Sequence, residues 1–176
     1  MRQRVGGVPQ RRGAVSSRLR QQAQHAVAKW RSDLHAVRIR TGPRAMKYFC
    51  LPWPPTVNGY WGTRRSGGKF RTRKAKAFCK AVVQEIGRVK TYTDAVSVIA
   101  VFSPPDSRTR DVDNYWKGLL DAMTAAGVWV DDSQVKLQVG LMADRIKGGQ
   151  VDVYVEELNE GIAGALLAIV KGLQDE

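Results

Sequence analysis

The sequence predicts an α/β domain: a mixed sheet in β-α-β-α-β-β order with helices packed on it. Three observations carry this. Two segments, Thr72 to Ile86 and Asn114 to Ala126, space their apolar residues as a helix does. Between them, Ala95 to Phe102 is apolar on both faces, as a central strand must be. After them, Val135 to Leu141 and Val151 to Val155 alternate apolar and polar residues, the mark of half-buried strands. Strands and helices interleaved in this way favour a sheet covered by helices.

Residues 1–15 are rich in Arg, Gly and Gln and read as disordered. A helix is expected over Ser17 to Val37, with Leu19, Ala23, Ala26, Trp30, Leu34 and Val37 on one side. Thr41-Gly42-Pro43 ends it, and the domain begins near Met46. Residues 1–45 are thus a basic extension: a nucleic-acid-holding arm, a dispensable addition, or the product of a start upstream of Met46.

Lys47 to Leu51 is a short apolar strand, stopped by Pro52-Trp53-Pro54-Pro55 because proline donates nothing to a ladder. Asn58 to Arg71 is a loop or loose hairpin turning at Ser66-Gly67-Gly68. The helix from Thr72 carries Ala75, Phe78, Cys79, Val82 and Ile86 on its apolar face and stops at Gly87. Ser103 to Arg110 is a loop. In the next helix Trp116, Leu119, Leu120 and Met123 form the buried stripe, with Asp113 expected as its cap and Gly127 as its close. The last two strands, with Gly148-Gly149 between them, are expected to pair as an antiparallel hairpin. A terminal helix over residues 159–174 follows, making 158–176 an addition to a domain at 46–157.

Composition narrows the functional class. The formal charge is +13, and 43% of residues are hydrophobic, enough for a core. Residues 1–45 hold eleven Lys/Arg against one acid, Asp33, while residues 46–176 hold eighteen against fifteen. Such a chain seeks polyanions. Cys50 and Cys79 make no disulfide framework and suit a reducing cytoplasm. No apolar run reaches the roughly 18 residues that cross a bilayer, so no membrane partner is expected. Arg11-Arg12 is not followed by an apolar export segment. His25 and His35 show no metal-ligand spacing, and no Walker loop, dinucleotide fingerprint or nucleophile elbow is present.

Against this basic background stand Arg110-Asp111-Val112-Asp113-Asn114 and Val130-Asp131-Asp132-Ser133. Carboxylates on a polyanion-seeking surface make most sense with a divalent cation between them and a phosphate. That is the chemistry of metal-dependent phosphodiester cleavage. Carboxylate oxygens are hard ligands suited to Mg²⁺ or Mn²⁺. Asp111 in a loop and Asp113 at a helix start can converge. Asp131 or Asp132 joins them only if the chain doubles back or a partner subunit supplies it, and one of the two can instead be a turn residue. Lys117, one turn beyond Asp113, can neutralise a phosphate, and Arg110 can clamp one in bidentate fashion. Asp121 reads as a solvated partner of Lys117 at i+4.

Arg64, Arg65, Lys69, Arg71, Arg73, Lys74 and Lys76 form the densest basic run of the domain, with Trp53, Tyr60 and Trp61 nearby. Basic side chains with aromatics suit a DNA backbone and unpaired bases; Trp53, trapped among prolines, is expected to pack instead. Arg108, Arg110 and Lys147 are further phosphate candidates.

Three motifs, in this order and spacing, resemble the RusA family of Holliday-junction resolvases over about residues 46–157. They are Leu51-Pro52-Trp53-Pro54-Pro55 with Asn58, Arg110-Asp111-Val112-Asp113-Asn114 with Lys117, and Gly127-Val128-Trp129-Val130-Asp131-Asp132-Ser133-Gln134-Val135. The resemblance implies a homodimeric, cytoplasmic endodeoxyribonuclease of bacterial or prophage origin, acting in recombination and repair. It would bind four-way junction DNA and nick two opposed strands with Mg²⁺, or Mn²⁺ in its place. By motif position it implies Asp111 and Asp113 as paired metal-binding aspartates and Asp132 as the third. It likewise implies Lys117 as the catalytic lysine and Asn114 as its accompanying asparagine. Tyr115 and Trp116 are bulkier than the family pattern leads one to expect. The alternatives are a non-catalytic junction-binding protein, or a metal-dependent nuclease or nucleotide hydrolase of other specificity.

Overall fold

A strand that is apolar on both faces belongs in the middle of a sheet, and Val96–Ser103 is buried along its whole length. The computed structural model describes residue 29 and residues 46–158. The helices expected over Ser17 to Val37 and over 159–174 therefore lie, Lys29 apart, outside the described residues. In chain order the elements are β1 (Lys47–Pro52), a single helical turn α1 (Val57–Tyr60), the short strands β2 (Trp61–Thr63) and β3 (Lys69–Arg71), and α2 (Arg73–Ile86). Then come β4 (Val96–Ser103), a 3-10 turn (Val112–Tyr115) running into α3 (Trp116–Ala125), a second 3-10 turn (Asp132–Gln134), β5 (Val135–Met142) and β6 (Gln150–Glu157).

The expected mixed α/β class holds, with α1 and the β2–β3 hairpin added between the first strand and the first long helix. The main sheet runs β1-β6-β4-β5, with β4 antiparallel to β6 and parallel to β5. The hairpin expected between β5 and β6 does not form, because β4 lies between them. Alternation assigns faces to a strand, not neighbours. Here α3 carries the chain from β4 to a parallel β5, the β-α-β crossover. The loop after β5 then passes the end of β4, where Ala143 N donates to Phe102 O at 2.8 Å and Ile146 N to Pro104 O at 2.9 Å.

Both long helices cover one sheet face. Thr72 caps α2, its hydroxyl oxygen accepting from Ala75 N at 3.2 Å, and Gly87 ends it at φ 60°. Phe78 and Val82 of α2 and Leu119, Ala122 and Met123 of α3 pack on Val98, Ala100 and Phe102 of β4 and on Val151, Val153 and Val155 of β6. Each large side chain buried there contributes about 1.5–3 kcal/mol. On the other face Met46, Ile99, Val101 and Tyr154 form a smaller cluster. Beside it the fully buried Asp152 accepts a 2.7 Å hydrogen bond from the Tyr48 hydroxyl. Cys50 is exposed and Cys79 half-buried. Among the described residues no helix is long and apolar enough to cross a membrane.

Candidate active site

The site is built where β4 ends and α3 begins. Asp111 precedes the first 3-10 turn and Asp113 lies within it, and neither caps with its side chain: Asp111, at the N-cap position, makes no side-chain cap bond. The expected capping role of Asp113 is not observed; it sits inside the turn, where its backbone oxygen accepts from Trp116 N. Both side chains are exposed and take no hydrogen bond or ion pair from a described residue. Behind them, Gly140 of β5 admits the turn: a Cβ there would lie 2.9 Å from Val112 Cγ2 and 3.1 Å from Trp116 Nε1.

Asp132 arrives from the far end of α3. Gly127, at φ 74°, closes the helix and turns the chain back. Trp129 is buried, its Nε1 donating to Thr124 Oγ1 at 2.7 Å. Asp131 then caps the second 3-10 turn, its Oδ1 accepting from Ser133 N at 2.9 Å. Gln134 completes a capping box: its Oε1 accepts from Val130 N and Asp131 N, and its Nε2 donates to Tyr92 O and Asp94 O. Asp131 is therefore the turn residue of the pair, and hydrogen bonding from Ser133, first by its side chain and then by its backbone N–H, holds its carboxyl below the usual range.

The freed neighbour, Asp132, accepts from Lys117 Nζ at 3.0 Å. The same ammonium lies 2.8 Å from Asp121 Oδ1. Asp121 is not the solvated partner expected of it: its side chain is only 11% exposed, against 50% for Lys117. The bond to Asp121, and next the bond to Asp132, raise the Lys117 pKa above its ordinary value. Nearby Tyr60 is fully buried, and burial, with the Asp121 charge second, pushes its phenol up to about 12. Tyr60 thus belongs to the core and not to a stacking surface.

Asp111 and Asp113 lie near one end of this arrangement, and Lys117 and Asp132 form its ion pair. Among the described residues no group of three or more His, Cys, Asp or Glu side chains is gathered closely enough to hold a metal ion. Asp132 is engaged by Lys117. The donor chemistry of Asp111 and Asp113 still suits a hard divalent cation. Asn114 is half-buried between them and the helix.

Of the phosphate candidates, Arg108 and Arg110 are turned on Asp106. Arg108 donates to both Asp106 oxygens, while Arg110, with a side chain 11% exposed, donates to Asp106 Oδ1 and to the carbonyls of Asp106 and Arg108. The Arg108 bonds, with those from Arg110, hold the Asp106 carboxyl well below its usual range. Arg110 also stacks 5.6 Å from the Trp53 ring. It shapes the loop before Asp111 more than it offers a free fork. Lys147 is exposed on the loop that Ile146 ties to Pro104. Arg64, Arg65, Lys69 and Arg71 on the β2–β3 hairpin, and Arg73, Lys74 and Lys76 on the first turn of α2, are all exposed. Trp61 and Phe70, 37% and 39% exposed, sit among them. Trp53 packs as expected, edge-on to Tyr115 at 4.7 Å.

Sequence reasoning missed Asp106, Phe70 and Gln134. Only Gln134 carried a local signal, the Asp-x-x-Gln spacing of a capping box.

Fold and site together define a small α/β protein with open carboxylates and a carboxylate-held lysine on a basic body. Residues 52–156 match the family model described as Endodeoxyribonuclease RusA. The chain belongs to the RusA family. It is 36% identical over 113 residues to the crossover junction endodeoxyribonuclease rusA of Enterobacteria phage HK97, covering 62% of this chain and 93% of that protein. The protein of the same name from Escherichia coli K12 is 32% identical over 115 residues, 61% of this chain and 92% of its own length. That from Enterobacteria phage 82 is 31% identical over 118 residues, 63% and 94%.

Proposed function

We propose that this chain is a structure-selective endodeoxyribonuclease that resolves four-way DNA junctions by metal-assisted phosphodiester hydrolysis. The observation that carries it is the pair of exposed, unengaged carboxylates, Asp111 and Asp113, one helical turn from a lysine held between Asp121 and Asp132. They fall inside the segment shared with relatives named as crossover junction endodeoxyribonucleases.

Asp111 and Asp113, joined by Asp132, would hold Mg²⁺, or Mn²⁺ in its place. The cation supplies Lewis-acid charge to a phosphate oxygen. Lys117, fixed by its two carboxylates, is a standing positive charge for the leaving oxygen. Water adds to phosphorus, the P–O bond to the leaving deoxyribose oxygen breaks, and that oxygen ends protonated. The exposed Lys/Arg of the β2–β3 hairpin and of the start of α2 grip the backbone. Two copies related by a two-fold axis would make paired incisions on a symmetric junction.

The test is a synthetic four-way junction with Mg²⁺, alongside linear duplex and flap controls. The native chain cuts the junction in preference to the controls, while Asp113→Asn binds it and does not cut. Equal cutting by the variant defeats the site assignment; equal cutting of linear duplex defeats the junction specificity.

A further inference from the structure

Beside the site lies a cavity of about 560 Å³. One wall is the Pro54–Gly59 segment, another is Lys74 and Phe78 of α2, and the third is the loop from Pro105 to Arg110. That third wall runs without a break into Asp111, so an occupant stands next to the candidate scissile position.

The lining divides by chemistry. Trp53, Pro55 and Pro105, each half-buried, offer apolar surface of the kind a planar base packs on. Lys74, Arg108 and Arg110 bring three cations, and no described carboxylate lines the space; Asp106 engages the two arginines from outside it. Thr56 and Thr109 add hydroxyls. Because the Thr56 oxygen already accepts from Gly59 N at 3.2 Å, its own proton is available to donate. The volume is that of a small-ligand site, too small for a duplex.

The walls are fixed in advance. Trp53 is wedged against Tyr115 at 4.7 Å and Phe102 at 6.2 Å, with Arg110 over its face. The β5–β6 loop locks the far side: a Cβ on Gly149 would lie 2.8 Å from Pro105 Cδ and 2.9 Å from Trp53 Cβ. A preformed slot with flat apolar surface, the Lys74 ammonium, two arginines held by Asp106 and hydroxyl donors suits a nucleotide more than a peptide or a lipid.

We infer that this cavity receives one unpaired nucleotide of the strand being cut, next to the scissile phosphate, with its base against the Trp53 and proline surface and its phosphate toward Lys74. The inference rests on the proposed junction cleavage. A branch point lowers the cost of extrahelical placement, because stacking is already interrupted there. Thr56 and Thr109 would then read the edge of that base.

The experiment uses the full chain carrying Asp113→Asn, which keeps the junction intact, and junctions bearing 5-iododeoxyuridine at single positions around the crossover. After irradiation the crosslinked tryptic peptide is identified by mass spectrometry. The expected result is one position, adjacent to the scissile phosphate, that crosslinks to the peptide from Tyr48 to Arg64, which holds Trp53. Adding Lys74→Ala, an exposed helical site, should lower that yield and weaken junction binding several-fold. Thr109→Val in the otherwise native chain should change the base preferred at that position. Crosslinks that map elsewhere from every position, in a chain whose native form cuts the junction, overturn the inference alone. A native chain that neither binds nor cuts the junction overturns it together with the proposed function.

Discussion

Lys117 Nζ stands 3.0 Å from Oδ2 of Asp132, fifteen residues further along the chain. The ten-residue helix α3 alone would hold these residues apart. They meet because Gly127 reverses the chain and the Trp129–Gln134 segment is pinned to α3 and to the Tyr92–Asp94 backbone. Within one chain, then, the polypeptide doubles back to bring Asp132 of the second acidic motif to Lys117 of α3. Lys117 and Asp132 face each other as counter-charges, and Asp121 supports the lysine from its buried side.

Asp121 should matter for turnover and not for binding. Asp121→Asn removes the better buried of the two carboxylates that hold Lys117. Loss of such an outer partner typically costs 10–100-fold in activity. Single-turnover cleavage of a junction should fall by about that factor, with the dissociation constant unchanged within about threefold. Unchanged cleavage would make Asp121 a surface ion pair and no more.

The neighbours Asp131 and Asp132 should fail in opposite ways. Asp131→Ala removes a capping side chain and should lower the melting temperature, with cleavage largely retained at low temperature. Asp132→Ala should leave the melting temperature nearly unchanged, since its ion pair is partly exposed, and abolish cleavage. Thermal melts beside cleavage rates on the same two variants decide it. Matching behaviour would erase the division of labour between them.

The faces of α2, α3 and β4 were legible in the chain because burial repeats with the period of each element; β6 was not, since its alternation reads as half-buried while Val151 to Glu156 are buried on both faces, the polar ones included. Thr72 and Gly87 marked α2, and the doubly apolar run marked β4. The sheet order was not legible, since the alternation in β5 and β6 is satisfied equally by pairing with each other or with β4. At the site, spacing placed Asp121 one turn from Lys117 but could not say which side of the pair faces the core. It also could not foresee that Asp106 would engage Arg108 and Arg110, because that contact depends on the loop conformation. The Asp-x-Asp spacing alone also fits a helix cap, the role expected of Asp113, and only the turn's conformation shows that the Asp111 side chain makes no cap bond and that Asp113 sits inside the turn.

The exposed cations of the hairpin should act as independent phosphate contacts. Arg65→Ala and Lys69→Ala sit on the turn and strand of β2–β3, away from the core. Each should weaken junction binding and linear-duplex binding alike, and lower the slope of log K against log salt by about 1. Fluorescence anisotropy at four or more salt concentrations measures this. A slope that stays at the native value in both variants would take the hairpin off the DNA.

Tyr60→Phe should be nearly neutral at pH 7 and informative above pH 10. The Tyr60 hydroxyl is buried with no hydrogen-bond partner among the described residues, so deleting it leaves nothing unsatisfied. In the folded protein burial pushes its pKa up to about 12, above the ordinary value of 10.0. A group whose folded pKa is raised stabilises the protein fully below the unfolded pKa, and that contribution is lost as pH rises toward the folded one. Between these two values the folded state holds a proton that the unfolded state releases, so stability falls with rising pH. Denaturant melts from pH 9 to 12 should therefore drop less steeply for Tyr60→Phe than for the native chain. Parallel curves would mean that the phenol ionises as easily in the fold as in the open chain, which is incompatible with its burial beside Asp121.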